Sequence, residues 1–305
     1  MLKTIILIVI TSQLNLFSQS TTYYLMGTYA QIDLGNTLLN KEVYNQLQKI
    51  EQKLSDYQGS SEISLINQNA GKNFVKVSDL TRKIITKSLE ISRRTYGVFD
   101  ITIGALTINH KRLGKISADT AKVLINYKDI LIQNDMIMLK KENMAIDLGG
   151  IGKGYAIEEV YQNLKTKKGF ISIGGDLKVW GQKKTLAILN PQNGNSLLQM
   201  VNLKDLSMST SGNYFRRHIE SGDENILQVT VVHEDGTLAD AYSTAILAMN
   251  EETRKKFLEE NPDIGVVLLY KDGSIFINKK FFEFFNIIIY KREANQQVQT
   301  KEGQK

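Results

Sequence analysis

Ten consecutive residues, Asp147-Leu148-Gly149-Gly150-Ile151-Gly152-Lys153-Gly154-Tyr155-Ala156, carry four glycines, one carboxylate and one lysine. Apolar Met144-Ala145-Ile146 predicts a strand running in, and Ile157-Glu158-Glu159-Val160-Tyr161-Gln162-Asn163-Leu164 predicts a helix running out. Glycine at this density lets a backbone turn sharply and approach a ligand closely. The helix that follows offers unpaired N–H groups to an anion. The pattern is not a Walker loop, because Lys153 is followed by Gly154 rather than by Ser or Thr. No frame of the run supplies G-x-G-x-x-G either. The run suits a nucleotide held in some other fold. It equally suits a strand-to-helix turn that merely needs glycine, and taken alone it does not separate the two.

Other chemistry-bearing groups are sparse. The 305 residues include no cysteine, which excludes disulfides, thiolate metal sites and a cysteine nucleophile. His110, His218 and His233 lack metal-ligand spacing. Lysines are scattered, the formal charge is +6, and no basic stripe alternates with aromatics, so nucleic acid is not an expected partner.

Further short segments accompany the glycine run. Met26-Gly27-Thr28 and Gly97-Val98-Phe99-Asp100-Ile101-Thr102-Ile103-Gly104 precede it. After it come Ile171-Ser172-Ile173-Gly174-Gly175-Asp176-Leu177-Lys178-Val179-Trp180-Gly181, read as two strands around a double-glycine turn, and Ser209-Thr210-Ser211-Gly212-Asn213-Tyr214, read as a hydroxyl-rich turn. Ala239-Asp240-Ala241-Tyr242-Ser243-Thr244-Ala245 opens an apolar helix. In this order the segments closely resemble the FAD:protein FMN transferase family, also called the ApbE family, from about Met26 to about Phe276.

That resemblance implies an α+β, T-fold-like architecture of two lobes with flavin between them. It implies magnesium-dependent transfer of FMN from FAD to a Thr or Ser hydroxyl of a partner redox protein, with release of AMP. Asp240 and Thr244, four residues apart and so on one helix face, would hold Mg²⁺ with the Gly150 carbonyl, and Ser243 lies adjacent. An isolated Asp240 would instead read as a helix N-cap. Met26, Tyr57 and the Val98-Phe99-Asp100 turn would contact isoalloxazine or ribityl. Asp147 would hold adenosine or ribityl hydroxyls, Lys153 would lie near the nucleotide, and Asp176 with Thr210-Ser211-Gly212 would support the site.

One departure stands out. Before the Val229-Thr230-Val231-Val232 strand the family carries a His-Ile-Ile-Asp-Pro-x-Thr-Gly loop whose histidine is the proposed acid or base. Here the segment reads Phe215-Arg216-Arg217-His218-Ile219-Glu220-Ser221-Gly222-Asp223-Glu224-Asn225-Ile226-Leu227-Gln228. Either His218-Ile219 is the remnant of that loop and His218 the base, or Arg217 to Asp223 continues the preceding hairpin strand and the loop is deleted. A weakly active or non-catalytic FAD-binding homologue and an FAD pyrophosphatase are therefore alternatives to full transfer.

The elements that must position these groups show in the apolar pattern. Val43, Leu47, Ile50 and Leu54 form one helical stripe, and Ile84, Ile85, Ser88, Leu89 and Ser92 another. Ser117-Ala118-Asp119-Thr120 marks a helix start. Gly265 to Ile277 predicts a hairpin with an Asp272-Gly273 turn. Strand runs with helices but no regular βαβ repeat point to α+β. Lys3, the short apolar run Thr4 to Ile10 and the small residues ending at Ser20 describe a cleavable signal segment over 1–20, too short to span a bilayer. The expectation is a domain over 21–291 with no integral membrane segment after signal removal, and a disordered tail over 292–305. The protein would be exported, periplasmic or extracytoplasmic, and not a lipoprotein because it has no cysteine.

Overall fold

A computed structural model describes residues 20–212 and 222–290. In chain order the strands are β1 (Thr21–Leu25), β2 (Thr28–Asp33), β3 (Val75–Lys76), β4 (Ile130–Gln133), β5 (Met136–Leu139), β6 (Gly169–Ile173) and β7 (Asp176–Trp180). They continue with β8 (Thr185–Leu189), β9 (Ser196–Asn202), β10 (Leu206–Gly212), β11 (Ile226–His233), β12 (Gly265–Tyr270), β13 (Ile275–Ile277) and β14 (Phe285–Tyr290). The α-helices are α1 (Thr37–Leu54), α2 (Glu62–Gln68), α3 (Asp79–Arg94), α4 (Ala118–Val123), α5 (Gly152–Asn163), α6 (Gly236–Ala248) and α7 (Glu251–Glu260). A wider, π-type helical segment spans Ala105–Arg112. Helices and antiparallel sheet together make the fold α+β, as expected.

Eight strands form one antiparallel sheet in the order β1-β2-β6-β7-β10-β11-β12-β13. Its central strands are buried on both faces, which explains their long apolar runs. Successive residues point to opposite sides, so Val266 and Leu268 join the larger core on the helical face, while Val267 and Leu269 join a second core on the other. Leu186, Leu198, Met200 and Phe285, from a separate sheet ordered β14-β9-β8, fill that second core. The stripes read in the sequence behave as predicted: Val43, Leu47, Ile50 and Leu54 are buried on α1, and Ile84, Ile85, Ser88, Leu89 and Ser92 on α3. Ser117 caps α4 by accepting from the Thr120 N–H at 3.1 Å. The β12–β13 hairpin forms around Asp272, whose Oδ1 accepts from the Ser274 N–H at 2.8 Å. Among the described residues no helix is long and apolar enough to cross a membrane.

Two expectations need correction. Met144-Ala145-Ile146 is not a strand; it makes one isolated bridge, Ala145 to Ile103. The reason is that the Asn67 side chain takes both backbone groups of Ile146, accepting from its N–H at 2.7 Å and donating to its carbonyl at 2.9 Å. The Ser209–Gly212 stretch is not a turn but the end of β10, with Ser211 opposite Val229 and Gly212 opposite Gln228. The expected signal segment up to Gln19, the tail from 292, and His218 lie outside the described residues.

Candidate functional site

The glycine run does lead into a helix, α5, and two of its glycines are required by what lies opposite. A Cβ on Gly154 would fall 2.2 Å from the Gly236 carbonyl oxygen and 2.5 Å from Asp240 Cβ. A Cβ on Gly150 would fall 2.9 Å from Thr244 Cγ2 and 3.0 Å from Thr244 Oγ1. Both distances are below ordinary contact, so only glycine lets the turn and α5 press onto α6. The Gly154 N–H donates to Asp240 Oδ2 at 2.8 Å. The run's composition is thus explained first by this close crossing of two helices.

Asp240 is not the cap of α6. Asp235 is: its Oδ1 accepts from the N–H groups of Thr237 at 2.7 Å and Leu238 at 3.2 Å. Asp240 therefore sits inside the helix, 2% exposed, on the side facing the glycine turn. Burial pushes its carboxyl up from the ordinary range, the neighbouring Asp176 charge adds to this, and Lys153 and the Gly154 N–H oppose it. Lys153 Nζ lies 2.8 Å from Asp176 Oδ2. Asp176, at the start of β7, also accepts from the Ser209 hydroxyl. Ser209 Oγ is 3.1 Å from Ser243 Oγ; Ser211 Oγ is 2.8 Å from Ser243 Oγ and 3.2 Å from Thr244 Oγ1. Ser243 donates to the Asp240 carbonyl at 2.9 Å, so its hydroxyl faces β10.

Two carboxyl groups share one ammonium in this buried cluster. Carboxylate, hydroxyl and a main-chain carbonyl are the hard oxygen donors that Mg²⁺ accepts while keeping waters. Thr244 lies opposite Gly150 and Asp240 opposite Gly154, so the donors expected to hold such an ion stand along one crossing of the glycine turn with α6. Among the described residues no group of three or more His, Cys, Asp or Glu side chains has metal-binding geometry. A site drawing on one carboxylate and uncharged oxygens is not of that kind.

The remaining predicted residues divide. Asp147 stands at the mouth of the glycine turn, where its Oδ1 accepts from the Gly149 N–H at 2.8 Å and its Oδ2 from Thr107 Oγ1 at 2.6 Å. Met26 occupies the β1–β2 turn with φ 50°, and its N–H donates to Glu51 Oε1 at 2.9 Å. That turn abuts the double-glycine turn before Asp176, since a Cβ on Gly174 would lie 2.8 Å from Thr28 Cγ2. Tyr57 is 76% exposed. Phe99, by contrast, is buried in the larger core with Val98 packed against it. Both Asp100 oxygens are engaged internally, Oδ1 by the Thr102 N–H and hydroxyl at 2.8 and 2.7 Å and Oδ2 by the Tyr127 N–H at 2.8 Å. Burial holds the Asp100 carboxyl above its usual range against those bonds.

Sequence reading missed the fastening beneath the site. Lys178 on β7 is 3% exposed, and its Nζ lies 2.8 Å from Glu158 Oε2 and 2.7 Å from the Glu234 carbonyl. Glu158, on α5, also accepts from the Gly236 N–H at 2.9 Å. This pair ties the first residue of α6 to α5 and β7. The available signal was a lysine between Leu177 and Val179 in a strand buried on both faces. The Lys153–Asp176 pair is likewise not visible in sequence, where nothing local links the two residues.

Residues 26–268 match the family model described as the ApbE family. The FAD:protein FMN transferase of Buchnera aphidicola subsp. Schizaphis graminum is 26% identical over 292 residues, covering 82% of this chain and 85% of its own. That of Escherichia coli K12 is 25% identical over 276 residues, covering 78% of each. The crystal structure of the ApbE protein from Thermotoga maritima superposes with a TM-score of 0.78 at 22% identity, covering 88% of this chain and 99% of that one. The flavin transferase ApbE from Vibrio cholerae follows at a TM-score of 0.75 and 21% identity, covering 87% and 98%. These two share the fold described above.

Proposed function

The chain belongs to the ApbE family, and on that premise we propose that it transfers FMN from FAD to a Thr or Ser hydroxyl of a partner redox protein, releasing AMP. The observation that carries this reading is the close meeting of the glycine turn with α6, Gly150 against Thr244 and Gly154 against Asp240, beside the Lys153–Asp176 pair. Mg²⁺ held by Asp240, Thr244 and the Gly150 carbonyl would neutralise charge on the pyrophosphate. The acceptor oxygen attacks the flavin-side phosphorus, the bridging P–O bond breaks, and AMP departs with the bridging oxygen. In such transfers positioning and charge neutralisation supply most of the rate. Lys153, paired with Asp176, would add a second positive charge. Asp147 would accept hydrogen bonds from sugar or ribityl hydroxyls beside those it receives from Gly149 and Thr107. The hydroxyl proton needs a base, for which His218 is the sequence's candidate. Export to a periplasmic or extracytoplasmic location belongs to the same reading, on the strength of the apolar N-terminal segment.

A second reading keeps the FAD site but uses water as acceptor or lacks turnover. What favours it is the sequence before β11, in which no Asp-Pro follows His218-Ile219. The Gly222 N–H donates to the Ala248 carbonyl at the end of α6 at 3.1 Å, and Asp223 pairs with Arg254 of α7 at 2.9 Å. Incubation with FAD, Mg²⁺ and a candidate acceptor, followed by intact-mass measurement, separates the readings. An acceptor heavier by one FMN residue supports transfer; AMP and free FMN without an adduct indicate hydrolysis. Saturable FAD binding with no turnover indicates a binding protein, and no FAD binding defeats both readings.

A further inference from the structure

Arg112 ends the π-type helical segment and has no duty in the cluster around Asp240. Its Nη2 lies 2.7 Å from Asp56 Oδ2 and donates to the Asp56 carbonyl at 3.3 Å. Its Cζ lies 4.1 Å from the centroid of the Tyr57 ring. A guanidinium at that distance lies against one face of the ring. Tyr57 is nonetheless 76% exposed, so the opposite face is open. The arrangement is a flat aromatic surface, backed by a flat cation that is itself anchored through two contacts to the preceding residue.

The same helical segment links this surface to the nucleotide turn. Thr107, about one π-type turn before Arg112, donates to Asp147 Oδ2 at 2.6 Å. Gly104, at the segment's start, lies so close to the Ala145 carbonyl oxygen that a Cβ would stand 2.4 Å from it. The Asp147 charge is felt at Asp56, whose carboxyl is raised first by burial and then by Asp147. One element therefore holds Asp147 at one end and the Tyr57 ring at the other. π-type turns are rare and occur often where a side chain must be aimed.

We propose that Arg112 is a positioning residue: it holds Tyr57 as the platform on which a planar ring of the dinucleotide stacks, at a fixed offset from Asp147. The inference rests on the FAD reading above and deepens it. An aromatic side chain left free to rotate would lose part of its stacking contact to conformational entropy. The rigid fork of arginine suits this role better than lysine, because it can stack on the ring and pair with Asp56 at once.

The test is a double-mutant cycle on the full-length protein, read by quenching of FAD and riboflavin fluorescence and by KM and kcat in the transfer assay. Arg112→Ala should weaken binding of both flavins by about two- to fivefold, the share expected of an exposed cation–π contact. The loss should appear in KM, with kcat moved less. Tyr57→Ala should cost about tenfold or more, and Arg112→Ala in the Tyr57→Ala background should then cost nothing further. Arg112→Lys, which keeps a cation for Asp56, should fold normally and fall between wild type and Arg112→Ala. Equal losses from Arg112→Ala with and without Tyr57 would overturn the inference, as would a fall in kcat at unchanged KM. Wild-type FAD binding unaffected by Arg112→Ala or Arg112→Lys defeats this inference alone, whereas absence of wild-type FAD binding defeats the functional reading and this inference with it.

Discussion

Replacing Asp240 by Asn should move activity and stability in opposite directions. In the folded protein the Asp240 carboxylate is fully buried, repelled by Asp176 and only partly compensated by Lys153 and the Gly154 N–H. Asparagine is nearly isosteric and keeps a carbonyl oxygen for the Gly154 donor, so that 2.8 Å bond survives. The substitution also removes a buried charge whose ionised form the site disfavours. Stability should therefore stay level or rise, because the site holds the Asp240 carboxyl above its ordinary range. Turnover should fall by about two to three orders of magnitude, the usual cost of deleting one preorganised charge from a site where charge develops. Asp240→Ala separates the terms further. It leaves the Gly154 N–H buried without an acceptor, at a cost of about 1–3 kcal/mol, with the same loss of turnover. Thermal unfolding monitored by circular dichroism, beside AMP release from FAD over a magnesium titration, checks both limbs. Asp240→Asn protein that unfolds earlier yet turns over FAD with wild-type magnesium dependence would refute the metal assignment and leave Asp240 as a helix-packing residue.

Four further outcomes follow from the geometry. Gly154→Ala should destabilise by about 1–3 kcal/mol or more through overpacking, because its Cβ would stand 2.2 Å from the Gly236 oxygen; a melting temperature equal to wild type would show that α5 and α6 can separate freely. Lys178→Met should cost about 3–5 kcal/mol by leaving Glu158 buried and unpaired, and adding Glu158→Gln should recover part of that loss in urea unfolding. Asp100, whose folded-state carboxyl lies above its unfolded value of 3.8, binds its proton more tightly when folded. Its contribution to stability should thus decline as pH rises from 3.8 through the raised folded value and stay constant above it, and Asp100→Asn should flatten that part of the melting profile. His218→Ala should reduce transfer by about a hundredfold if His218 is the base. If the loop is deleted, the substitution should change little, wild-type transfer should be slow, and grafting a His-Ile-Ile-Asp-Pro loop between Glu224 and Ile226 should raise it.

Local signals carried a large share of this molecule. The stripes of α1 and α3, the cap at Ser117 and the β12–β13 hairpin follow from side-chain period and turn chemistry, which act over a few residues and leave their mark in sequence order. The order of short motifs likewise placed the chain in its family before any coordinate was known. What could not be read were relations between distant segments. That Gly150 and Gly154 serve a helix crossing depends on Thr244, Gly236 and Asp240 standing opposite, some ninety positions away. The Asp-or-cap choice at Asp240 turned on Asp235 capping α6 first. Ile146 failed to make a strand because Asn67 took both its backbone groups, a competition no local pattern reveals. Burial of Lys178 against Glu158, the Lys153–Asp176 pair and the backing of Tyr57 by Arg112 are long-range electrostatic choices. Sequence determines which residues could carry charge or turn the chain, whereas the tertiary structure decides which charges meet and which glycines touch, because those energies depend on distance in space.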